Sequence, residues 1–115
     1  MSKNFLSIGM TAILVTFLSS GLALAKEEHA SAALEHATAA ASATEAEDIS
    51  AHATEALKHT RPAKIANASL TDAVQHITES EPHLSAAVGS ALAGDAAGAA
   101  QHAKIAKIHL EAANK

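Results

Sequence analysis

The chain has 115 residues, of which 49% are hydrophobic and 17% charged, with a formal net charge of −4 and no cysteine. That balance excludes nucleic acid as a partner, because its binders present a basic face. It also excludes a disulfide framework and thiolate metal ligands.

The first segment reads as an export signal. Lys3 supplies the positive start, Phe5 to Leu24 form an apolar run broken by Ser, Thr and Gly, and Ala23-Leu24-Ala25 is a small-x-small cleavage site. An uncleaved anchor is the alternative, since the run approaches the roughly 20 residues that span a bilayer. Ser19-Ser20-Gly21 and the cleavage site favour removal of residues 1–25. No cysteine follows the run, so lipid attachment there is excluded. The expected mature chain, 26–115, is one small exported domain with no membrane association. It carries seven Lys/Arg against twelve Asp/Glu, a balance that suits a soluble, cation-attracting monomer.

Four helices are predicted in that domain. The first covers about 27–41 and the second about 46–60, where Arg61-Pro62 should stop it. Residues 61–68 could add a short turn. Ser69 followed by Asp72 resembles a cap for a third helix running to about 93. Pro82 lies inside that helix and should kink or split it. Gly94-Asp95 punctuates, and the fourth helix covers about 96–113. Short connections imply antiparallel neighbours, so the fold class is all-α, an up-down-up-down four-helix bundle. Its core is thin: alanine dominates, and large apolar residues such as Ile49, Leu57, Ile77, Leu84 and Leu110 are few. Marginal stability without a ligand is expected.

Every histidine belongs to a pair seven residues apart: His29/His36, His52/His59, His76/His83 and His102/His109. Seven residues are two helical turns, so each pair stacks on one helical face. The repeat appears as HASAALEH at 29–36 and HATEALKH at 52–59, with HAKIAKIH at 102–109 in the same frame. The positions one, four and five places after the histidines are mostly apolar, which sets the imidazoles beside the apolar stripe.

Imidazole is the commonest protein ligand for borderline transition metals. Partners within one pair stand roughly 10 Å apart along the axis, too far to share an ion. Each histidine therefore needs a ligand one turn away or on another helix. The second helix offers Asp48, His52, Glu55 and His59, and the third repeats the string as Asp72, His76, Glu79 and His83. Carboxylate and imidazole three or four residues apart share a face and suit Cu(II), Zn(II) or Ni(II). The first and fourth helices lack such carboxylates. If histidines flank every stripe on the same side, they converge either at seams 1–2 and 3–4 or at 2–3 and 4–1. The sequence leaves both open, and the 2–3 seam would gather eight ligands in one acidic groove. A single helical histidine is usually a solvated flank residue. Eight of eight in heptad pairs reverse that reading.

The chain resembles the small metal-binding protein family, exported histidine-rich proteins built on this heptad, most clearly at 52–59 and 102–110. The resemblance implies a periplasmic four-helix bundle that takes Cu(II) most readily, accepts other divalent ions and buffers copper, with the eight histidines as ligands. Ala43 and Ser90 stand where a third heptad histidine would fall, so the capacity implied is lower. The alternative function is a helical envelope-interaction or chaperone-like module with a pH-sensitive histidine surface. A haem bundle has less support, lacking a bulky aromatic pocket and a Cys-x-x-Cys-His motif. No constellation for catalysis is evident, and the protein is not expected to be an enzyme.

Overall fold

Alanine is the strongest helix former, and the alanine-rich stretches fold accordingly. The computed structural model describes residues 25–115, so the export segment and its cleavage site lie outside the described residues except for Ala25. Four helices follow one another: α1 Ala25–Ser42, α2 Ala46–Ala66, α3 Thr71–Leu92 and α4 Ala96–Ala113. The described residues contain no strand. Helix α1 packs on α2, α2 on α3, α3 on α4 and α4 back on α1, with a lighter diagonal contact between α2 and α4. The fold is all-α, and this packing is that of a four-helix bundle.

The core follows the histidine frame. Residues one and four places after the histidines make up most of the buried set: Ala30, Ala33, Ala37 and Ala40; Ala53, Ala56, Thr60 and Ala63; Ile77, Ser80, Leu84 and Ala87; Ala103, Ala106 and Leu110. Ala113 completes the pattern half-buried. At 100° per residue, the middle of this stripe lies roughly 70° from the histidine, and all eight imidazoles are half-buried on its flank. Among the large side chains of the described residues, only Ile49, Ile77, Leu84 and Leu110 are fully buried. Small residues elsewhere let the helices approach closely, which draws flanking side chains on adjacent helices together.

Two boundaries differ from expectation. Helix α2 continues through Pro62 to Ala66. Pro62 removes the bond its N–H would make to the Lys58 carbonyl, but continuation buries Ala63 completely. It also carries Lys64 to Glu81 of α3, with Nζ 2.9 Å from Oε2. Tertiary contact outweighs the local breaker. Helix α3 likewise runs unbroken from Thr71 to Leu92 with Pro82 inside it. Two residues before each proline, a buried hydroxyl turns back onto the backbone: Thr60 Oγ1 donates to the Leu57 carbonyl at 2.8 Å and Ser80 Oγ to that of Ile77 at 2.6 Å. Ser69 does not cap α3. Its N-cap position is Leu70, with no side-chain bond.

The last turn matches the reading of Gly94-Asp95. Gly94 takes φ +85°, the left-handed conformation that favours glycine. The Asp95 N–H then donates to the Ser90 carbonyl at 2.9 Å, and Asp95 Oδ1 accepts from the Gly98 N–H at 2.9 Å, capping α4.

Candidate metal centres

The imidazoles meet at two seams, α1/α2 and α3/α4. Of the two arrangements open to the sequence, packing selects this one, and the α2/α3 boundary carries the Lys64–Glu81 ion pair instead.

At the α1/α2 seam, four rings form a zigzag. His29 faces His59 with ring centres 5.5 Å apart, His59 stacks on His36 at 5.6 Å, and His36 meets His52 at 5.8 Å. The His29 and His59 Nδ1 atoms are 3.2 Å apart, so one ring donates and the other accepts. Glu55, one turn from both His52 and His59, brings a carboxylate beside His36 and His59. The ligand atoms of His36, Glu55 and His59 all lie within 4.8 Å of one another. Glu55 Oε2 also accepts from Lys58 Nζ at 3.1 Å, an exposed pair that a metal ion could displace.

At the α3/α4 seam the zigzag is shorter. His76 and His109 have ring centres 6.3 Å apart, and His83 stacks on His109 at 5.6 Å. Glu79 Oε1 stands 3.3 Å from His109 Nδ1 and 3.5 Å from His76 Nδ1. His76, Glu79 and His109 form the second group of ligand atoms within 4.8 Å. His102, which would extend the zigzag by analogy with His52, makes no ring contact among the described residues.

The two carboxylates occupy different places in their zigzags. Glu55 joins the rung between the inner rings, His36 and His59, whereas Glu79 joins an outer rung. The cause lies in the repeat. The residue three places after His52 or His76 is Glu, but after His102 it is Ile105 and after His29 it is Ala32. Asp48 and Asp72 belong to neither group. Both sit in the first turn of their helix, and Asp72 is exposed.

Burial pushes the His36 ring below its ordinary pKa of 6.5, helped by positive charge on His59 and His52 and opposed by Glu55. His59 is lowered for the same leading reason, then by His29, while Glu55 and Glu28 oppose and Lys58 adds a little. A neutral imidazole offers a lone pair, so both rings are predisposed to ligate at neutral pH.

The donor sets fit a divalent ion. The Nδ1 atoms of His52 and His102 beside these sets are buried without a hydrogen-bond partner, a state that costs free energy unless a ligand answers it. Ligands on opposite sides of an ion with ~2.0–2.1 Å bonds stand about 4 Å apart. Donor atoms within 4.8 Å of one another therefore close on an ion by small rotations of half-exposed side chains. Two imidazoles and a carboxylate leave room for water or a further ligand, and nitrogen–oxygen sets of this kind suit Cu(II), Ni(II) and Zn(II).

The model of one family, described as small metal-binding protein, matches residues 3–113. The chain belongs to the small metal-binding protein family. No curated protein and no solved structure matches it. Membership accords with what the helices bring together: in each seam, residues from two helices complete a nitrogen–oxygen group that neither helix holds alone.

Proposed function

We propose that the protein binds divalent transition-metal ions, Cu(II) foremost, at the α1/α2 and α3/α4 seams. It buffers them in the periplasm after export and catalyses no reaction. The observation that carries this reading is the gathering of two imidazoles and one carboxylate, from two helices, in each seam. Copper is preferred because Cu(II) tops the affinity order of divalent first-row ions at nitrogen–oxygen sites. Zn(II) and Ni(II) are weaker ligand partners of the same groups. The periplasmic setting rests on the Lys3, Phe5–Leu24 and Ala23-Leu24-Ala25 pattern.

The reading takes adjacent helices as antiparallel. His29 meets His59 while His36 meets His52, so numbers rise on α1 as they fall on α2. Asn114, just past α4, donates to the Ala30 carbonyl near the start of α1 at 3.1 Å. Helix α3 is taken to bend at Pro82, whose ring leaves the Thr78 carbonyl without its usual donor.

Calorimetric titration with Cu(II) tests the function. The unaltered chain takes up ions with sub-millimolar affinity, and replacing His36 and His59 together by Gln removes the α1/α2 share of the uptake. Unchanged uptake in that variant would overturn the assignment.

A further inference from the structure

The α1/α2 zigzag has a property that the α3/α4 seam lacks. Its rings follow the order His29, His59, His36, His52, and each of the two inner rings has two ring neighbours. A neutral imidazole has one lone pair to give, so His59 cannot serve an ion with His29 and another with His36 together. The rungs are mutually exclusive wherever they share a ring. Four rings in a row can therefore be filled in two ways. One ion can sit at the inner rung, where Glu55 adds a third ligand. Alternatively, two ions can sit at the outer rungs, His29/His59 and His36/His52, each with two imidazoles.

Ring spacing permits both. With metal–nitrogen bonds of ~2.0–2.1 Å, two imidazoles on one ion place their ring centres roughly 4.5–6.5 Å apart. The three rungs measure 5.5, 5.6 and 5.8 Å. The inner rung has the extra anionic ligand and fills first. At the α3/α4 seam, both rungs contain His109, so the second filling does not exist there.

We infer that the α1/α2 seam is a load-dependent site: one Cu(II) is held by His36, Glu55 and His59 when metal is scarce, and it is exchanged for two Cu(II) at His29/His59 and His36/His52 when metal is abundant. This rests on the metal-binding reading above and specifies how one of its sites responds to supply. Exchange lowers the affinity per ion while raising capacity, since each outer ion has lost the carboxylate.

The test uses the full chain with His76→Gln and His109→Gln, which confines tight binding to the α1/α2 seam; circular dichroism verifies that it stays helical. Cu(II) is added stepwise and followed by calorimetry and electron paramagnetic resonance. At one equivalent, a single mixed nitrogen–oxygen species is expected. At two equivalents that species is replaced, rather than joined, by a carboxylate-free one showing dipolar coupling between two ions. Glu55→Gln weakens the first ion at least tenfold, about the loss that follows removal of even an outer partner of a metal ligand. His52→Gln caps the seam at one ion. A first-ion signal that persists unchanged at two equivalents overturns the inference, as does a seam that never takes a second ion, and both leave the metal-binding reading standing. Failure of the unaltered chain to bind Cu(II) overturns both.

Discussion

Glu79 Oε1 approaches His109 Nδ1 to 3.3 Å across the α3/α4 seam, while its own-helix neighbour His76 lies 3.5 Å away. One carboxylate thus serves an imidazole from each helix. Glu79→Gln keeps the shape but removes the anionic ligand, and Cu(II) affinity at this seam should fall by about tenfold or more. Without metal the change should be worth only about 0–1 kcal/mol, because the pair is substantially exposed. Calorimetry and metal-free melting separate the two effects. A large loss of metal-free stability would show that Glu79 is chiefly structural.

Stability of the metal-free protein should depend on pH through His36 and His59. Burial lowers both pKa values below 6.5, with neighbouring imidazoles adding to the shift. The unfolded chain then binds protons more readily than the folded one in the window between the lowered values and 6.5. The stabilising contribution is complete above 6.5 and is lost as pH falls through the lowered values. Melting in a chelating buffer from about pH 7.5 to about pH 5 should show a falling midpoint. His36→Gln should flatten the slope, and an unaltered slope would remove His36 as its source.

The core offers little redundancy. Among the described residues, Ile49 is one of four large apolar side chains with no exposure, in a core cluster made mostly of alanines. Ile49→Ala should cost about 2–5 kcal/mol, a large share of the stability of so small a domain. Chemical denaturation without metal measures it. Saturating Cu(II) should restore part of the loss, because an ion that binds only the folded form stabilises it by mass action.

Ile105 occupies, after His102, the place that Glu55 holds after His52, and it is 38% exposed. Ile105→Glu should therefore add a carboxylate near the His83/His109 rung and tighten Cu(II) binding at the α3/α4 seam by about tenfold. Little core packing is lost in making the change. Weaker or unchanged binding, measured by calorimetric titration, would show that the two seams are not equivalent in this respect.

Much of this molecule was legible in one dimension. The heptad spacing places each histidine pair on one helical face, and residues one and four places on supply most of the buried set, because a helix has a fixed angle per residue. Glu55 and Glu79 were recognisable one turn from their histidines by the same rule. Family resemblance added the metal-binding expectation, which the match over residues 3–113 supports.

Tertiary structure decided the rest. Which flanks meet depends on how four cylinders rotate against one another, and that is set by packing among Ile49, Ile77, Leu84, Leu110 and the alanines between them. No periodicity within a single helix encodes that rotation, so the choice of seams stayed open until the helices were assembled. The same competition carried α2 past Pro62, where burial of Ala63 and the reach of Lys64 to Glu81 offset the missing backbone bond. Packing also separated carboxylates that look alike in sequence: Glu55 and Glu79 meet imidazoles across a seam, whereas Asp48 and Asp72 stay at helix starts, outside both groups.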